Sequence, residues 1–491
     1  MRDWIQLDEL HVVSDLHLGG KAGFQIFAST PELAWVADTV AQSPRAGVVA
    51  LLINGDFIDF LAEEPSAYFD PDGVLTKIDR VIADPAFAPV FAALRRLVST
   101  PNRLLAINLG NHDLELALPW ARAHLVDALC GADLAARARL VLVTDGTGFG
   151  CTVGRASVVC VHGNEVDSWN VADYEQLRRI GRDGVFGLPS QPWTPNAGTQ
   201  MVIDVMNRIK REYPFVDLLK PETEAVLPIL AALNPGLHRN LLDLAGVAGR
   251  KAWDMARMKA GFLEAAQPVG VAAPASPPPV YRASRPLGMA AAHDADAALM
   301  EQVETAWRGG VTPISLVRGT QSQQLNFWSA TWDFVTAKPR HEVLREALSG
   351  LDKDRSFEFA TVDDTFTELD DQLAADVDIA IAGHTHLERS IARRRGRGRY
   401  FNSGTWARLM RIAPATRQDE AKFKQLFQLL SGGTMAALDA EPGLVERRNT
   451  VVSVWTDPSG DTQAELRHVQ AGAAPAATAF VPVAGTRFTK N

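Results

Sequence analysis

The sequence predicts an α/β fold with mixed sheets, two of them packed face to face, and a large, mostly helical insertion. Three features predict it: short apolar, β-branched runs that end abruptly in polar residues, helix-periodic stretches between the first three runs, and hairpin patterns further along. At 491 residues, with 47% hydrophobic and 22% charged, the chain can form one large or two ordinary domains, because single cores stop growing near ~250–300 residues.

The runs are, in order, "LHVV" ahead of Ser14, "VVALLI" ahead of Asn54, "RLLAIN" ahead of Leu109, "ASVVCV" ahead of His162 and "VDIAIA" ahead of Gly383. Fully apolar runs of about 4–8 residues read as buried strands. "LAWVADTVAQ" and "FAPVFAALRRLV" carry helical spacing and supply the connections. Three stretches read as antiparallel: "RLVLVTD" followed by "GCTVGRASVVCV", then "ERSIARRRGRGRYFNSGTW", then "TVVSVWTD" and "TQAELRHV" around the turn "PSGD".

Between His162 and His384 the character changes. "TQMVIDVMNRIKREY", "AVLPILAAL", "RKAWDMARMKAGFLEAA" and "AALMEQVETAW" have helical spacing, and "QPVGVAAPASPPPVYRASRP" is a proline-rich break. The expected organisation is a core over residues 1–165, a helical cap over 166–376 with a proline-rich loop near 267–286, a second part of the core over 377–475 and a tail over 476–491.

The net charge of -9 gives no overall basic field and disfavours binding of nucleic acid along the whole surface. Cys130, Cys151 and Cys160 form no CxxC pair and read as core residues of a protein in a reducing compartment. "MRDWIQLDEL" lacks a basic region followed by an apolar stretch, and no apolar run of membrane-spanning length occurs later, so the expected location is the cytoplasm. Oligomeric state is not legible.

The polar residues directly after each run carry the chemistry: Asp15 and His17; "GDFID" with Asp56 and Asp59; "GNHD" with Asn111, His112 and Asp113; "HGNEVD" with His162; "GHTH" with His384 and His386. Ligands of open α/β sheets bind outside the carboxyl ends of strands, so five such ends can build one site. In extended chain, residues i and i+2 point the same way, which lets Asp15 and His17 reach one metal and His384 and His386 straddle two. Imidazole and carboxylate donors together suit Mn, Fe, Zn, Co or Ni better than Ca.

Each block alone has an ordinary explanation, such as an N-cap acid, a Gly-Asp turn or a loop bonding its own backbone. Five in order, each directly after an apolar run, do not. His11, His124, His238, His293, His341 and His468 have no such context and read as solvated or core residues.

This ordered set resembles the calcineurin-like metallophosphoesterases, whose pattern is DxH, GDxxD, GNH(D/E), a later His usually followed by Gly, and GHxH. The resemblance spans Asp15 to His386 and implies a four-layer α/β/β/α sandwich. It implies two divalent transition-metal ions, one held by Asp15, His17, Asp56 and His386 and the other by Asp56, Asn111, His162 and His384, with Asp56 bridging. His112 is then the general acid, with Asp59 or Asp113 orienting its ring, and a metal-bridging hydroxide the nucleophile.

The expected substrate is a small phosphomonoester or phosphodiester, because a large cap restricts access by polymers. The same resemblance covers nucleotide-sugar lipid pyrophosphohydrolases, which share "SDLHL" and a helical insertion, and repair nucleases. From another class comes a non-catalytic binding scaffold on this fold. The arginines at 389, 393, 394, 395, 397 and 399 read as a solvated hairpin tip. "NSGTW" (Asn402 to Trp406) resembles a segment often near the site in this family. Trp169 and Asn170 read equally as pocket lining or as an anchor for the first insert helix.

Overall fold

In the computed structural model, residues 4–167, 169–189, 191–211, 213–218, 339–349, 357–471 and 477–490 are described. The proline-rich loop near 267–286 and most of the expected cap lie outside them. The chain divides into two units, Met1–Ile229 with Leu348–Asn491, and Leu230–Ala347. Of the second unit, residues 339–347 are described, and they include most of the helix Arg340–Ser349.

The strands of the first unit are β1 (Ile5–Leu7), β2 (Glu9–Val13), β3 (Val49–Asn54), β4 (Arg103–Asn108), β5 (Leu140–Val143), β6 (Phe149–Val153), β7 (Ala156–Cys160), β8 (Ile379–Ala382), β9 (Arg389–Ala392), β10 (Arg399–Asn402), β11 (Leu409–Met410), β12 (Val445–Glu446), β13 (Thr450–Thr456), β14 (Thr462–Gln470), β15 (Ala479–Pro482) and β16 (Phe488–Lys490). The larger sheet runs β15-β14-β13-β2-β3-β4-β5, with β16 also on β14, and the second runs β1-β6-β7-β8-β10-β9. Both are mixed. All five apolar runs are strands, and β3 and β4 are buried at every residue, as strands covered on both faces must be.

β2, β3, β4 and β5 are parallel. Parallel neighbours need crossovers, and α1 (Thr30–Ala41), α2 (Val74–Ala83), α3 (Ala88–Ser99), α4 (Pro119–Cys130) and α5 (Leu134–Ala138) supply them. Three of these carry proline in the first turn, where its missing N–H costs nothing. Val36, Phe91, Leu94 and Leu125 of the helices pack on Val13, Leu51, Ile53 and Ile107. The opposite faces of those strands, through Leu10, Val12, Leu52 and Ala106, pack on Cys151, Val158, Ile379, Ile381 and Phe401 of the second sheet. All three cysteines are free and buried, as expected.

The hairpins β9–β10 and β13–β14 are antiparallel as expected. "RLVLVTD" is not part of one: β5 lies parallel to β4, and the chain then crosses to the other sheet, where β6 and β7 pair. A glycine turn between apolar runs looks the same in sequence whether the chain reverses within a sheet or leaves it. Gly146 and Gly148, both at positive φ, make this exit.

β15 and β16, within the segment 476–491, both pair with β14 at the edge of the larger sheet and are short and largely exposed. At both ends of the segment 166–376, helices pack on the core. α6 (Tyr174–Val185) buries Ile180 with the first helical layer, and the helix Asp364–Gln372 lays Phe366 and Leu369 on Ala380, Ala382, Ile391 and Tyr400 of the second sheet.

Candidate metal centre

Each expected ligand lies just past the C-terminal end of a strand: Asp15 and His17 after β2, Asp56 after β3, Asn111 after β4, His162 after β7, and His384 and His386 after β8. The two sheets are stitched together at this point. Asn54 Nδ2 donates to Val161 O at 2.7 Å, and Asn108 Nδ2 donates to Asn54 Oδ1 at 2.7 Å and to Cys160 O at 3.1 Å. Ser14 Oγ lies 2.7 Å from Ser403 Oγ, and Thr405 Oγ1 donates to Asp15 O at 2.9 Å.

The ligands do not converge by the alternation of extended chain. Asp15, His17, Asp56, His384 and His386 all have φ between 49° and 69°, and among the described residues only Asn102 and Asn449 share this state outside glycine. A left-handed backbone costs a side-chain-bearing residue of order 1 kcal/mol or more and concentrates where function imposes it. The glycines of the motifs have a steric reason: a Cβ on Gly55, Gly110 or Gly383 would collide with His162, Asp56 or Asp15 respectively.

Asp15, His17, Asp56 and His386 bring one potential ligand atom each within 4.8 Å of one another, all four buried, and so form a site that can hold a metal ion. His17 Nε2 lies 3.0 Å from His386 Nε2 and 3.7 Å from Asp56 Oδ2, and His386 Nε2 lies 3.3 Å from Asp15 Oδ1. Asp56 also faces the other group, its Oδ2 being 3.3 Å from His162 Nε2. The rings of His162 and His384 are 5.4 Å apart. Asn111 Oδ1 and His162 Nε2 are buried without a hydrogen-bond partner. Buried carboxylates and unpartnered buried ligand atoms both call for a cation, so these residues fit a bound metal ion.

Electrostatics in the cluster are strong. Burial alone would raise the pKa of Asp56, but the charges of His162, His112 and His17 hold it well below the usual carboxylate range. Burial likewise opposes ionisation of Asp15, yet His386 and His162 lower it to about 2. For His112, burial is outweighed by Asp59 and Asp56, which raise its pKa to about 9.

Of the two acids expected to orient His112, Asp59 is the one that meets its ring: its Oδ1 lies 3.0 Å from His112 Nδ1, and its Oδ2 lies 3.4 Å from His17 Nδ1. Asp113 instead accepts the backbone N–H groups of Gly110 and Phe57 at 2.7 Å each, bracing the two motif loops. Its burial, together with the charge of Asp56, raises its pKa to about 7.

No sequence pattern marks Asp167, yet its Oδ2 lies 2.8 Å from His384 Nε2. Trp169 and Asn170 form the turn around Asp167, donating a backbone N–H and a side-chain N–H to it. The "NSGTW" segment buttresses the ligand loops, with Asn402 Nδ2 donating to Gly383 O at 2.6 Å. The arginine run is only partly a solvated tip. Arg389 and Arg393 are buried and ion-paired with Asp363 at 2.9 Å and Asp370 at 2.7 Å, while Arg394, Arg395 and Arg397 are exposed.

His11 bonds Ser453, His124 bonds Asp79 and His468 bonds Glu388. His238 and His293 lie outside the described residues. Among the described residues, no helix is long and apolar enough to cross a membrane. No protein-family model and no curated protein matches the chain.

Proposed function

We propose that the chain is a metal-dependent phosphoesterase of the calcineurin-like kind, hydrolysing a small phosphomonoester or phosphodiester. One observation carries this reading: Asp15, His17, Asp56 and His386, from three separate strand ends, meet as buried ligand atoms on left-handed backbone. A four-layer α/β/β/α reading of the fold accords with the apolar contacts on the outer face of each sheet.

On this reading Asp15, His17, Asp56 and His386 hold one divalent ion, and Asp56, Asn111, His162 and His384 hold the second. Bound there, such ions supply Lewis-acid charge for phosphoryl oxygens and acidify water. The protein's part is orientation and proton transfer. Asp59 accepts from Nδ1 of His112 and leaves Nε2 to give its proton to the leaving oxygen. The His112 side chain is 17% exposed, so a substrate can reach it. A positioned histidine acid contributes typically about 10²–10⁴-fold to such a step.

The test is hydrolysis of bis-p-nitrophenyl phosphate and p-nitrophenyl phosphate after chelation and re-addition of Mn, Ni, Zn, Co or Mg, with Asp56→Asn as control. Metal-restored turnover that Asp56→Asn abolishes is the expected result. Tight metal binding with no turnover on any ester, and no effect of His112→Ala, would favour the scaffold instead.

A further inference from the structure

In two histidines of the centre Nδ1 is turned to a protein oxygen and Nε2 to the ligand cluster. His162 Nδ1 is held at 2.7 Å by Asn54 O, which leaves Nε2 facing Asp56. His17 Nδ1 lies 3.4 Å from Asp59 Oδ2, which leaves Nε2 beside Asp56 and His386. His384 inverts the order. Its Nε2 lies 2.8 Å from Asp167 Oδ2.

A carboxylate only accepts hydrogen bonds, so the proton of this contact sits on Nε2 and the lone pair on Nδ1. The main chain of His384 is fixed separately, its N–H donating to both carboxylate oxygens of Asp15 at 3.1 and 3.0 Å. Backbone position is thus set by Asp15, while ring rotation and tautomer are set by Asp167.

Asp167 is itself held rigidly. Its Oδ1 accepts from Trp169 N at 2.8 Å and its Oδ2 from Asn170 Nδ2 at 2.7 Å. Asn170 is locked in turn: Asn196 Nδ2 donates to its carbonyl at 3.1 Å, and Gly198 N donates to Trp169 O at 2.9 Å. Gly198 lies so close to Asn170 that a Cβ there would collide with the amide. A carboxylate presented by a turn this constrained orients a ring better than a free side chain does.

We propose that Asp167 is a positioning residue of the second half of the centre, accepting the Nε2 proton of His384 so that Nδ1 faces a divalent transition-metal ion as an unprotonated donor. This rests on the two-ion reading of the proposed function. Losing such an outer carboxylate typically weakens metal binding about 10–100-fold. The loss falls on one ion only, because Asp15, His17, Asp56 and His386 do not touch Asp167.

The experiment is titration of the chelated full-length protein with Co²⁺, followed by calorimetry and by visible absorption, for wild type, Asp167→Ala and Asp167→Asn. Expected are two equivalents in wild type. In Asp167→Ala the first equivalent keeps its affinity and spectrum, while the second is weakened about 10–100-fold with an altered spectrum. Asp167→Asn, which keeps an acceptor oxygen, recovers part of the loss. Equal second-site affinity in Asp167→Ala and wild type overturns the inference alone, as does equal weakening of both equivalents. Fewer than two equivalents in wild type overturns the two-ion reading and the inference with it.

Discussion

The two sheets bring different things to the seam where they meet. The strand ends of the larger sheet carry Asp15, Asp56, Asp59 and Asp113 beside His17, Asn111 and His112; those of the second carry His162, His384 and His386, with Asp167 set against His384. Both carboxylates among the candidate ligands thus come from one side, and the other contributes imidazoles alone. The difference teaches that neither side completes the candidate ligand set: the first brings buried carboxylates together, and the second sets imidazoles against them. The asparagine stitch between Asn54, Asn108 and the end of β7 is what keeps the halves in register.

The comparison is broken most severely by Asp56→Asn. Asp56 faces both groups, so metal analysis after dialysis is expected to find neither ion and turnover at background. His384→Ala, on the other side, is expected to leave one ion in place, which mass spectrometry under native conditions would count. Equal loss in both variants would erase the division of labour between the sheets. Next comes His112→Ala, which removes a proton donor and no ligand. Turnover is expected to fall about 10²–10⁴-fold with metal content unchanged.

A smaller effect tests the stitch. Asn108→Ala strips two buried hydrogen bonds and leaves Cys160 O and Asn54 Oδ1 without them, a loss expected to cost about 1–3 kcal/mol for each group left unsatisfied. Denaturant unfolding would measure it, and a neutral result would mean that apolar packing alone holds the seam.

The smallest effect lies away from the seam. Burial would raise the pKa of Glu9, but His11 and Arg45 hold it at about 2, against 4.5 for a free side chain. A depressed carboxyl stabilises the fold above its unfolded value and loses that contribution as pH falls from about 4.5 towards 2. Glu9→Gln should therefore be destabilised at pH 7, on the order of 2 kcal/mol at most, and should converge on wild type near pH 2. A gap in unfolding midpoint that persists there would contradict the assignment.

Much of this was legible in the chain. An apolar run followed at once by Gly-Asp, Gly-Asn or Gly-His announces a strand end with ligands, because the same glycine that lets the chain turn clears space for the neighbouring ligand. The left-handed backbone was not legible, since nothing in "SDLHL" distinguishes extended from left-handed chain. Asp167 leaves no mark in the sequence because its role depends on a contact with His384, far away along the chain, and no spacing rule reports it. The two buried arginines did leave a signal. Arg389 opens β9 and Arg393 directly follows it, and the acid-rich stretch "DDTFTELDD" precedes them; tertiary pairing overrode the general solubility of arginine.

One feature of the sheet order sets a timetable for synthesis. β2 lies between β3 and β13, and its second neighbour arrives only at residues 450–456. At ribosomal rates of about 5–20 residues per second, that flank of β2 waits roughly 20–90 s before its partner is made. Throughout that interval the nascent chain displays an unpaired strand edge of the kind that templates aggregation. Expression yield should accordingly respond to chaperone supply and growth temperature more than to any substitution at the candidate metal ligands.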